Sequence, residues 1–245
     1  MATTQVRDAI LLIGASGRTG RFVLRYLCAA SVPVIACVRS ADRLAAESRL
    51  ASAQIAVADL ERPYTLVPLI ERAAHVIYLA GGDRRSLAPG AWQLEIDSLA
   101  ACVEAAQRSG LPGRWISVGY AGAVQRGSAS WAETRWRELK VAAEEVVTSS
   151  GLNYFLLRTG RITDPVSDEP RVGVSQQAAV PDAELPCNAL GFLLVGAALA
   201  GAASRARATV RLNPAGVRLQ SAVDAFGRLH PDATTPSPVR VLRPA

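Results

Sequence analysis

Three glycines, Gly14, Gly17 and Gly20, recur at every third position between an apolar run, Ala9 to Gly14, and an amphipathic stretch that begins near Arg18. At a strand-to-helix junction this spacing is the pattern of a turn that cradles phosphates. Gly14 allows the tight turn, Gly17 the approach of backbone to a pyrophosphate, and Gly20 the close packing of helix on strand. Ser16, Arg18 and Thr19 occupy the same turn, with the helix N-terminus facing the anion. The expected ligand is a dinucleotide. Arg39 ends the second apolar run, where an NAD site carries an acid for the ribose hydroxyls. A guanidinium there can pair bidentately with a 2′-phosphate, with Arg18, Ser40 and Arg43 close in sequence, so NADP(H) is expected rather than NAD.

The elements that position this turn follow from alternation. Short apolar runs at Ala9–Gly14, Pro33–Val38, Gln54–Ala58, His75–Ala80, Arg114–Gly119 and Asn153–Arg158 read as strands. Between them Arg18–Ala30, Ala41–Ala51, Tyr64–Arg72, Ala91–Ser109 and Ala132–Ser150 read as helices. Such alternation feeds right-handed crossovers into a parallel sheet covered on both faces, so the fold class is α/β, a doubly wound Rossmann-like domain. Asp59 and Leu60 follow the third strand, and Ala80, Gly81 and Gly82 follow the fourth, all at the carboxyl edge where such sheets bind ligands. Asp59 there reads either as a partner for the adenine amino group or as a helix N-cap. The small residues after Leu79 would let backbone approach the adenosine ribose.

One unit spanning residues 1–245 is expected. A Pro- and Gly-rich stretch from Gly160 to Pro186 lacks a clear period and gives way to an apolar helix near Leu190. A strand near Thr209–Leu212 and a helix near Val217–Leu229 follow. Residues 160–230 would form the substrate side of the cleft, and residues 231–245 a poorly ordered tail. Asn188–Ala203 is too short for a bilayer span, and the polar start, Met1 to Asp8, does not resemble a secretory signal. The four cysteines have neither paired nor zinc-ligand spacing, and two histidines poorly supply a metal centre or a Ser-His-Asp hydrolase. A reducing cytoplasm is the expected setting, without a metal. Net charge is +6, and from Arg205 onward seven arginines face two acids. No groove-reading motif accompanies them, so neither nucleic acid nor membrane is an expected partner; a small-molecule substrate is.

In order, Gly14-Ala15-Ser16-Gly17-Arg18-Thr19-Gly20, Val38-Arg39, Ala58-Asp59-Leu60, Ile96-Asp97 and Leu157-Arg158-Thr159-Gly160 resemble the atypical short-chain dehydrogenase/reductases. The similar branch is the NmrA-like, NAD(P)-binding group, over about the first 165 residues. The resemblance implies a serine at the end of the fifth strand and a Tyr-x-x-x-Lys on the next helix. Ser117 matches the serine and Lys140 the lysine, but Trp136 stands in the tyrosine position. An indole N–H cannot act as a general acid at ordinary pH. Trp136 reads instead as a substrate-stacking or pocket-filling group, or as plain helix packing. Lys140 is the only lysine in the chain. A compact ammonium with three donors suits the nicotinamide-ribose hydroxyls better than a guanidinium fork. Tyr120, just past Ser117, is the candidate substitute acid.

Three functions stay open on the sequence. The first is an NADPH-dependent reductase of a small, planar or polycyclic carbonyl or enone. The second is a non-redox cyclase, dehydratase or isomerase that keeps the dinucleotide as structure. The third is an NmrA-like regulator that senses the cofactor's redox state.

Overall fold

The structure, a computed structural model, describes residues 7–45, 47, 52–81, 91–122, 131–177, 183–199 and 205–231. Apolar runs without alternation mark strands covered on both faces. β1 (Ala9–Ile13) and β2 (Val34–Val38) are of this kind, buried along nearly their whole length. With β3 (Ala53–Val57), β4 (Ala73–Tyr78), β5 (Trp115–Tyr120) and β6 (Tyr154–Thr159) they form a parallel sheet in the order 3-2-1-4-5-6. The order reverses between β1 and β4, which opens a crevice at the carboxyl ends of those strands.

Two helical layers close the faces. α1 (Arg18–Ala29), α5 (Cys187–Leu199) and α6 (Leu219–Phe226) cover one, with Leu24, Leu27, Leu190, Leu194 and Phe226 in its core. α2 (Val67–Glu71), α3 (Ala91–Arg108) and α4 (Trp131–Thr148) cover the other, over Leu99, Val103, Trp115, Val147 and Leu156. α5 is apolar all round because it lies between α1 and α6. Among the described residues no helix is long and apolar enough to cross a membrane.

The six expected strands and the helices at α1, α3, α4, α5 and α6 are present, with ends shifted by a few residues. Two expectations change. The Tyr64–Arg72 helix is broken into a 3-10 turn, Pro63–Thr65, and the short α2. Pro63 and Pro68 lack an N–H and each fits only at a helix start, so two starts replace one helix. Of the Ala41–Ala51 helix, Ala41–Leu44 is a single 3-10 turn, and residues 46 and 48–51 lie outside the described residues.

The stretch Gly160–Pro186 is also more ordered than expected. It holds β7 (Arg161–Thr163), β8 (Val172–Ser175) and β9 (Glu184–Pro186). β7 and β9 pair into a small separate sheet, while β8 runs antiparallel beside β10 (Ala206–Leu212), which extends the main sheet from β6. Three- and four-residue strands among prolines and glycines carry too short a period to be read. Of the expected tail only Pro231 falls within the described residues.

Candidate functional site

The glycine turn has the geometry its spacing asks for. Gly14 lies at φ +88°, in the left-handed region, and a Cβ there would stand 2.9 Å from the carbonyl carbon of Leu79. At Gly20 a Cβ would come within 2.1 Å of the Gly14 carbonyl oxygen, so strand and helix meet backbone to backbone. Gly17 is the N-cap of α1 and contributes no capping side chain. The first-turn amides of α1 therefore face outward at the positive end of the helix dipole, a fit for a pyrophosphate.

This turn forms one wall of a cleft of about 770 Å³. Gly14, Gly17, Arg18, Thr19 and Gly20 line it on one side, and Ala80 and Gly81 line its floor after β4. The far wall comes from Ser117 and Tyr120 of β5 with Trp136, Lys140 and Glu144 of α4. Residues 136 and 140 are one helical turn apart, which puts both side chains on the face of α4 that meets the sheet edge. Thr159, Gly160, Arg161 and Ile162, leading from β6 into β7, complete it.

Polar groups inside the cleft fall into two sets. Ser117 and Thr159 are buried, as is Tyr78 at the end of β4, and their hydroxyls have no hydrogen-bond partner among the described residues. Buried hydroxyls are ordinarily satisfied, so orphaned ones around a cleft mark where ligand or water is received. Burial pushes the Tyr78 phenol well above the usual tyrosine range, with smaller contributions from Cys102, Glu95 and Cys37. The second set is paired. Lys140 Nζ donates to Glu95 Oε1 at 2.6 Å, and the Arg158 guanidinium grips both carboxylate oxygens of Glu144, its Nε lying 3.1 and 2.9 Å from them.

Trp136 presents its ring edge-to-face with Tyr120, centroids 4.3 Å apart, and the Lys140 ammonium stands 5.7 Å from the Trp136 ring centroid. The two aromatic rings therefore pack on each other in the lining of the cleft, beside the only ammonium of any side chain. The buried thiols Cys37 and Cys102 are pushed up to about 11 and about 12, chiefly by burial, which makes them poor nucleophiles.

The structure brings the glycine turn, Ala80, Gly81, Ser117, Tyr120, Trp136 and Lys140 around one cavity. It leaves other expected residues outside that lining. Arg39 and Arg43 are exposed beyond the end of β2, and Ser40 bonds to Asp42 at 3.4 Å. Arg18 lines the cleft, yet its guanidinium donates to the Ile162 carbonyl at 2.8 Å and lies 3.5 Å from Asp164. The Ser16 carbonyl accepts from Arg21 and the Leu60 carbonyl from Ser98. Asp59 Oδ1 accepts the Glu61 amide at 3.1 Å in a local Asx turn, and the N-cap of the following 3-10 turn is Arg62, so Asp59 is not the helix N-cap its residue type suggested. Gly82 lies outside the described residues. Sequence reasoning missed Glu95, Tyr78 and Thr159. The signal for the last two was their place at the carboxyl ends of β4 and β6, the edge where such sheets bind ligands, whereas the α3–α4 contact that places Glu95 leaves no local pattern.

Residues 14–188 match a protein family described as NAD(P)H-binding. No curated protein matches the chain. Among solved structures, a Bacillus halodurans protein assigned as an NAD-dependent epimerase/dehydratase superposes with a TM-score of 0.76 at 19% identity, covering 89% of this chain and 99% of that one. ChuY, an anaerobillin reductase from Escherichia coli O157:H7, gives 0.66 at 21% identity, over 84% and 100% of the two chains. A wide-type short-chain dehydrogenase/reductase from Veillonella parvula, solved with NADP, gives 0.64 at 17%, over 86% and 96%. At these identities the structures establish the shared Rossmann-like fold. The family match spans well over half the sequence and coincides with the glycine turn, the sheet edge and the cleft wall: this chain belongs to the NAD(P)H-binding family.

Proposed function

We propose that the chain is an NADPH-dependent reductase of a small planar carbonyl or enone, an atypical short-chain dehydrogenase/reductase of the NmrA-like kind. The observation that carries this reading is the convergence of Ser117, Tyr120 and Lys140 on the cleft that begins at the glycine turn. Bound NADPH supplies the hydride. Ser117, whose hydroxyl is orphaned, orients the substrate oxygen. Tyr120 stands in for the phenol that α4 lacks and gives the proton. Lys140 holds the nicotinamide ribose, and Trp136 offers a face to a planar substrate. Arg39, Ser40 and Arg43 lie past the end of β2, where a 2′-phosphate would reach them, which favours NADP(H) over NAD. The named activity of the E. coli neighbour adds support for reduction.

The test is turnover of stoichiometric NADPH by purified protein against a panel of carbonyls, quinones and enones, followed by the loss of nicotinamide absorbance. Oxidation that depends on Ser117 and Lys140 is expected. Conversion of a substrate without any change in NADPH would replace the reductase by an isomerase or dehydratase. Arg39→Glu should lower the preference for NADPH over NADH at least tenfold.

A further inference from the structure

The chain's single lysine does not face the cleft alone. Its ammonium lies 2.6 Å from Glu95 Oε1, with the two side chains 17% and 13% exposed. Glu95 comes from α3 and Lys140 from α4, so the pair is made by the packing of two helices rather than by neighbours in sequence. The same carboxylate sits against the cleft floor, since a Cβ on Gly81 would stand 3.1 Å from Glu95 Oε1. A carboxylate this close to an ammonium offsets a large part of the positive field felt by a third group a few ångströms away.

We propose that Glu95 is a positioning residue that sets the site's preference between the oxidised and the reduced dinucleotide. The inference rests on the reading that Lys140 meets the nicotinamide end of the cofactor. The nicotinamide ring is cationic when oxidised and neutral when reduced, while the phosphates are the same in both. A bare ammonium beside the ring therefore disfavours only the oxidised form. Glu95 lowers that penalty while still leaving two ammonium protons for ribose oxygens. The site then holds both forms with similar strength, as an enzyme that must bind one and release the other requires.

The experiment measures equilibrium binding of NADP⁺ and of NADPH, by calorimetry, to the full chain and to two charge-removing variants. Glu95→Gln leaves the ammonium uncompensated, and the ratio Kd(NADP⁺)/Kd(NADPH) should rise about five- to tenfold. Lys140→Met removes the positive charge from beside the ring, and the ratio should fall by a comparable factor. The double variant should return to within about twofold of the parent. Opposite shifts are the signature of charge at the ring; a loss of packing would weaken both forms alike. Ratios that stay unchanged, or that move in the same direction in both variants, overturn the proposal. If one variant does not fold, the sign of the other's shift decides. No turnover enters the measurement, so the proposal stands or falls separately from the reductase reading, which fails when no acceptor oxidises NADPH.

Discussion

Among the described residues, Glu144 and Lys140 of helix α4 form ion pairs with other elements one turn apart, and these are built for different ends. At Glu144 the partner is Arg158, a strand residue 7% exposed, whose planar fork spends its Nε and Nη2 donors on both carboxylate oxygens. Gly119, beside Arg158 in the β5–β6 ladder, leaves the space that Glu144 fills: a Cβ there would come within 2.2 Å of Glu144 Oε1. This clamp ties α4 to the sheet. At Lys140 the partner is Glu95, the contact is one hydrogen bond, and the ammonium keeps two protons over the cleft. Two pairs of the same charge type on one helix are thus separated by donor geometry into scaffold and site.

The contrast breaks first on stability. Glu144→Ala strands a buried guanidinium and should lose about 3–5 kcal/mol in urea unfolding. Gly119→Ala keeps both charges but forces Glu144 Oε1 and the Arg158 Cγ, 3.0 Å from the new Cβ, to move apart, at roughly 1–3 kcal/mol. Lys140→Met should lose only about 1 kcal/mol, because cleft water can solvate Glu95, yet lower NADPH turnover by about a hundredfold. Equal losses for Glu144→Ala and Lys140→Met would erase the distinction between the two pairs.

The same contrast explains what could be read in advance. The glycine turn was legible because a phosphate cradle is a local device: its constraints are carried by Gly14, Gly17 and Gly20 within a single strand-turn-helix unit. Ser117 and Lys140 were legible only through the order of motifs along the chain. That order placed Trp136 and Lys140 on one helix face, and the structure brings both to the cleft. Glu95 was not legible, because its meaning depends on how α3 packs against α4. Arg158 stood in a motif, but nothing in the sequence linked it to Glu144. The short strands β7 and β9 were hidden for another reason: each makes a three-residue pairing whose order comes from its partner rather than from its own composition.

The smallest expected effect lies away from both pairs and supplies the baseline against which they are judged. His75, at the start of β4, accepts the Arg114 amide on Nδ1 at 3.0 Å, and burial, followed by the nearby Arg114 charge, lowers its pKa from the ordinary value. A proton on Nδ1 would abolish that bond. With the folded pKa depressed, the unfolded chain takes up the proton first as pH falls. His75 therefore contributes its stability above about pH 6.5 and loses it progressively as pH drops through the folded pKa. Between pH 7.5 and 5.5 the unfolding midpoint in urea should fall by the equivalent of about 1 kcal/mol or less. His75→Gln, which keeps an acceptor but cannot titrate, should flatten that slope while leaving the pH 7.5 midpoint nearly unchanged. A slope that survives the substitution would have to come from ionisations other than that of His75.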